Sequence, residues 1–136
     1  MKWKVSTKKE FVIKTDNRPG TLHTIASLIG SKGINIESIS AYTQDGKIAI
    51  FRLVTGDPIS TEKVLRNATI PLEFLENEIV TVELENKPGE LAKLTEVIYK
   101  KGIDLNAVYI IRSDKVTEVA INSEDNEKLK KILDGS

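Results

Sequence analysis

The stretch Asn17-Arg18-Pro19-Gly20-Thr21-Leu22 returns 69 residues later as Asn86-Lys87-Pro88-Gly89-Glu90-Leu91. At the same spacing, Ser31-Lys32-Gly33-Ile34-Asn35-Ile36 returns as Lys100-Lys101-Gly102-Ile103-Asp104-Leu105. The chain is therefore an internal duplication, and each copy serves to read the other. Repeats 1–68 and 69–136 are both small-domain sized, a length at which burying a face against a twin is a large gain.

Outward from the Pro-Gly turn, the periodicities define the elements. Phe11, Ile13 and Thr15 alternate with Val12 and Lys14, as Val80, Val82 and Leu84 do with Thr81 and Glu83, which is the period of a half-buried strand. After each turn, Leu22, Ile25, Ala26 and Ile29 (Leu91, Leu94, Thr95 and Ile98 in the second copy) form an i, i+3, i+4, i+7 stripe, so a helix follows and closes at Gly33 or Gly102. Two strands come next, 35–43 and 47–54 around Gln44-Asp45-Gly46, matched by 104–112 and 115–121 around Ser113-Asp114. Asp57-Pro58 opens a second helix through Lys63-Val64-Leu65, matched by Lys131-Ile132-Leu133.

A βαββαβ unit needs a fourth strand, and the second copy ends soon after its second helix. Trp3 and Val5 align with Leu72 and Phe74, so each repeat is read as opening with a leading strand. That strand would hairpin into the main one through Ser6-Thr7-Lys8-Lys9 or Leu75-Glu76-Asn77-Glu78, giving ββαββα twice. The alternative keeps residues 70–75 in the first sheet and leaves the second sheet a strand short. The fold class is α+β, two ferredoxin-like repeats.

Composition excludes several functions. With no Cys and one His, there is neither a disulfide scaffold nor a thiolate or His-rich metal centre, and no cofactor or metal is expected. Twenty basic side chains balance twenty acidic ones, which argues against nucleic acid as a partner. Lysines at 2, 4, 8 and 9 around Trp3 fit a guarded edge strand. Apolar runs are too short to span a membrane, and a cytoplasmic protein is expected. His23 lies off the apolar stripe with no nucleophile partner in sequence, and the many Glu side chains alternate outward on strands, so no enzyme is expected and no catalytic residue is named.

The turn carries the chemistry. Pro19 removes a donor where the helix has no partner for it, and Gly20 permits close approach. The amides of Gly20, Thr21 and Leu22, and those of Gly89, Glu90 and Leu91, should point outward at a helix start suited to a carboxylate. Eighteen residues beyond Asn17 and Asn86 stand Asn35 and Asp104, whose side-chain oxygens can accept from an ammonium. Donors for an anion and acceptors for an ammonium describe a site for a free amino acid, while turn chemistry alone also accounts for these residues.

Asn-x-Pro-Gly-x-Leu, an amphipathic helix, then Gly-Ile-Asn-Ile or Gly-Ile-Asp-Leu resembles the ACT domain, the small-molecule regulatory module of amino-acid metabolism, over nearly the whole chain and twice. The resemblance implies a freestanding tandem ACT protein, repeats side by side in one eight-stranded antiparallel sheet with helices on one face, and an amino-acid effector at the seam between paired domains. It further implies a homo-oligomer and, as a partner, an enzyme of amino-acid biosynthesis. In serine-binding members the turn Asn and strand-start Asn of opposite partners hold the ligand, which carries over to Asn17 and Asn35, and to Asn86 and Asp104. Those members have His two residues before the turn Asn, where this chain has Thr15 and Leu84. Asn-Ile-Glu-Ser at 35–38 resembles the acetolactate synthase regulatory subunit, although the second half here is another ACT repeat. An interaction or oligomerisation module without a ligand is the other reading.

From this arrangement, the turn of each copy is expected to face the strand start of the other. The Gly20-Thr21-Leu22 amides with Asp104 should make the tighter site, because Asp104 is ionised and Glu90 opposes a carboxylate at the second turn.

Overall fold

The computed structural model describes residues 3–135; Lys2, one of the lysines flanking the leading strand, lies outside them. The elements are β1 (Lys4–Asp16), α1 (Thr21–Gly30), β2 (Ile36–Gln44), β3 (Ile48–Thr55), α2 (Pro58–Arg66), β4 (Glu73–Glu85), α3 (Glu90–Lys100), β5 (Leu105–Ser113), β6 (Val116–Ser123) and α4 (Asn126–Asp134). The order βαββα occurs twice, an α+β arrangement of antiparallel strands and four helices.

The chain forms two compact units, residues 9–77 and residues 3–8 with 78–135. In the first, β3 lies between β2 and β1, with Phe11 opposite Leu53 and Ile13 opposite Phe51. One face of this sheet meets α1 and α2 in a core of Phe11, Ile13, Ile25, Ile29, Phe51, Leu53 and Leu65. In the second, β6 lies between β5 and β4, pairing Val80 with Ile121 and Val82 with Val119. There Val80, Val82, Leu94, Ile98, Ile121, Leu129 and Leu133 make the core under α3 and α4. β2 and β5 are terminal in the strand order, so each has an open edge.

The leading strands differ from expectation. Six strands are present among the described residues, not eight, because no hairpin interrupts Ser6-Thr7-Lys8-Lys9 or Leu75-Glu76-Asn77-Glu78; β1 and β4 each run unbroken for 13 residues. Neither tetrapeptide offers Gly or another residue at positive φ, and no described residue there adopts one, so the extended backbone simply continues. Each long strand is then divided between the two units, at Lys8/Lys9 in β1 and at Asn77/Glu78 in β4. Trp3 and Val5 pack on the core of the unit containing residues 78–135. Ile70, Leu72 and Phe74 stay with the first core, where Phe74 tilts against Phe11 at 6.3 Å. Residues 70–75 thus stay with the first unit, only 73–75 of them as strand, and residues 4–8 belong to the unit of residues 78–135. The boundaries between compact units accordingly do not coincide with the repeat boundary at 68/69.

Elsewhere the local rules account for the ends. Asp45 (φ 52°) and Gly46 (φ 70°) turn β2 into β3, as an Asp-Gly hairpin requires. Asp57 caps α2 by accepting from the Ser60 amide at 3.1 Å, and Asp125 caps α4 through Lys128 at the same distance. Glu10 is wholly buried and is held by Arg52 Nη1 and Asn77 Nδ2, each at 3.1 Å.

Candidate functional site

Gly20 and Gly89 are the N-cap residues of α1 and α3, with φ +87° and +86°. That left-handed conformation, which L side chains rarely adopt, turns the chain sharply from strand into helix. No heavy atom lies within 4 Å of a Cβ built at either glycine, so their use is conformational and the space beside them is open.

The turn Asn residues fix each turn to the neighbouring hairpin. Asn17 Nδ2 donates to the Gly46 carbonyl at 2.9 Å, while the Asn17 amide donates to Lys47 at 2.9 Å. Asn86 Nδ2 does likewise to Asp114 at 2.7 Å. Part of the expected anion cradle is spent internally: the Thr21 amide donates to the Arg18 carbonyl at 3.2 Å and the Glu90 amide to Lys87 at 3.5 Å. Thr21 Oγ1 also donates to the Arg18 carbonyl, at 2.9 Å. Leu22 and Leu91, first in their helical stripes, are not in the cores; they are 44% and 49% exposed, and Ile25, Ile29, Leu94 and Ile98 carry the packing.

The strand starts lie elsewhere in each unit. Asn35 is exposed and its carbonyl accepts from Gly56 at 3.0 Å, beyond the far end of β3. Asp104 is likewise exposed, its amide donating to Glu124 Oε1 at 3.2 Å and its carbonyl accepting from the Glu124 amide at 3.1 Å. Asn17 sits at the opening end of β3 and Asn35 at its close, roughly 25 Å apart at the usual rise of a strand. No unit therefore brings its own turn and strand start together.

Two cavities flank the turns. One of about 430 Å³ lies beside the second turn, with Leu84, Glu90, Leu91, Val108, Ile110 and Val119 among its walls. The other, about 340 Å³, lies beside the first turn between Arg18, Thr21, His23 and Pro71. His23 Nε2 is 3.5 Å from Ser27 Oγ, and the histidine is exposed, as the sequence indicated. The pattern did not single out Val108, Ile110 or Val119. Their place depends on strand pairing: Val82 lies opposite Val119 where Ile13 lies opposite Phe51, so the second unit has a smaller side chain at that position.

Electrostatics differ between the turns. Glu85 and Lys87 pair at 2.6 Å, and their hydrogen bond holds the Glu85 carboxyl below its ordinary pKa and the Lys87 ammonium above its own. Glu90 is 5% exposed, with Lys93 Nζ 2.9 Å from its Oε2. Among the described residues no group of three or more His, Cys, Asp or Glu side chains is placed to hold a metal, and no helix is long and apolar enough to cross a membrane.

Residues 10–67 match the family model of the ACT domain. The chain is 24% identical to the probable acetolactate synthase small subunit of Archaeoglobus fulgidus, over 93% of this chain and 84% of that protein. Among solved structures, protein BT0572 from Bacteroides thetaiotaomicron superposes with a TM-score of 0.85 at 21% identity, covering 95% of this chain and 88% of the other. The ligand-free regulatory subunit of aspartate kinase from Thermus thermophilus gives a TM-score of 0.67 at 16% identity, over 95% and 93%. Both of these are likenesses of fold.

Proposed function

We propose that this chain is a non-catalytic regulatory protein, two ACT units in tandem, that binds a free amino acid and transmits its presence to an enzyme of amino-acid biosynthesis. The observation that carries the reading is the 430 Å³ cavity lined by Asn86, Lys87, Glu90 and Leu91 of a strand-to-helix turn whose Gly89 is left-handed. The match of residues 10–67 to the ACT model and the resemblance to a small subunit of acetolactate synthase support the regulatory role. Because turn and strand start are far apart within a unit, a ligand touching both is shared between units; the open edges of β2 and β5 offer a second copy as the source. In that arrangement Asn17, Gly20, Thr21 and Leu22 of one unit, or Asn86, Gly89, Glu90 and Leu91, meet Asn35 or Asp104 of another.

A thermal-shift screen of the common amino acids tests this. A ligand present at about 100 times its dissociation constant adds roughly 2.7 kcal/mol of stability. The absence of any shift would favour the second reading, an oligomerisation module without a ligand. That reading has its own support in the exposed apolar side chains of the edge strands, Ile39 and Tyr42 on β2, Val108 and Ile110 on β5.

A further inference from the structure

Glu90 is the first residue of α3, yet its side chain does not stand in water: it is 5% exposed and lies in the wall of the 430 Å³ cavity. Its Oε2 is buried and accepts no hydrogen bond; Lys93 Nζ, 2.9 Å away on a half-exposed side chain, neutralises it from one side without hydrogen-bonding geometry. Buried polar atoms are almost always hydrogen-bonded, and a carboxylate has acceptor sites for several donors. The other nearby cation, Lys87, is already committed to Glu85 at 2.6 Å. The remaining walls are aliphatic: Leu84, Leu91, Val108, Ile110 and Val119. A cavity with a buried carboxylate oxygen that accepts no hydrogen bond and branched apolar walls suits an ammonium donor with a branched apolar body, and is hostile to a second carboxylate.

We infer that the cavity of the second unit is an amine subsite, in which a ligand's primary ammonium donates to Glu90 Oε2 and an aliphatic chain lies among Leu91, Val108, Ile110 and Val119. This rests on the reading of the turn region as a ligand site and fixes the ligand's orientation there: ammonium, not carboxylate, toward the helix start. The first unit has Thr21 at the equivalent position and Phe51 where Val119 stands, so it lacks both the acceptor and the smaller wall residue.

Three probes decide it by isothermal titration near pH 7, where a primary amine is cationic: 3-methylbutylamine, 4-methylpentanoate and L-leucine. The amine and leucine should bind the wild type, and the acid should not. Glu90→Gln should weaken the amine at least tenfold, and Val119→Phe, which installs the residue the first unit carries, should abolish it. If the amine does not bind, or binds the wild type and both variants alike, the inference is overturned. Should Glu90→Gln fail to fold by circular dichroism, Val119→Phe decides alone. Amino acids binding wild type and Glu90→Gln equally, with the amine inert, would leave the regulatory reading standing and remove this one. Amine binding without that of any amino acid would do the reverse.

Discussion

At Gly20 and Gly89 the chain needs φ near +87° but no extra room, which separates backbone strain from steric conflict. Gly89→Ala should therefore cost about 1–2 kcal/mol, the usual penalty of the left-handed region, without a packing defect. Urea denaturation should show a lower midpoint with an unchanged slope. Charge at the same turn makes a second prediction. Glu85 titrates below its ordinary range, so its contribution is present above the ordinary carboxylate pKa and fades as the pH falls through the folded value; Lys87 titrates above its own, so its contribution holds below the ordinary lysine pKa and fades as the pH rises through the folded value. Between about pH 5 and 10 the pair is intact, and being exposed it is weak and screened by salt. The stability difference between wild type and Lys87→Met should be small at pH 7, vanish at low pH and shrink in 1 M salt.

Among the elements, helix, hairpin and cap positions followed from spacing, because those depend on neighbours in sequence. Asp45-Gly46 had to turn and Asp57-Pro58 had to start a helix. The leading strands did not follow. An alternating stretch with no turn residue reads equally as two strands or one, and only packing of Trp3 and Val5 on the core of residues 80–133 decides between them. Trp3→Ala should destabilise that unit by about 2 kcal/mol, since the ring is only partly buried. Hydrogen exchange should locate the lost protection in β4, β6 and α4 rather than in β2 and β3; the opposite distribution would contradict the strand assignment.

For the molecule as a whole, the expected cut between repeats is not where a fragment should be taken. A fragment of residues 9–77 contains a complete four-stranded unit with Ile70, Leu72 and Phe74 on its core, whereas 1–68 lacks those three side chains. The longer-reaching fragment should show a cooperative thermal transition by circular dichroism, and 1–68 should not. The open edge of β5, with Val108 and Ile110 42% and 56% exposed, should mediate association with a second copy. Ile110→Glu is expected to lower the sedimentation coefficient if the wild type self-associates, without lowering its melting temperature by more than a few degrees.

Legible in the residues alone were the recurrence of the Pro-Gly turn 69 positions on, the order of helices and strands after each such turn, and the turn residues near which the cavities lie, because periodicity and turn chemistry are local. Packing between segments distant in sequence set the rest: residues 4–8 group with residues 78–135, Asn17 and Asn86 fasten their turns to hairpins, and Asn35 and Asp104 lie beyond the ends of β3 and β6 that are away from those turns. It also decided that Glu90 is buried beside an aliphatic cavity. These depend on which strand lies next to which and on the volume opposite each side chain, Val119 against Phe51, and such quantities come into being only when segments distant in sequence pack together.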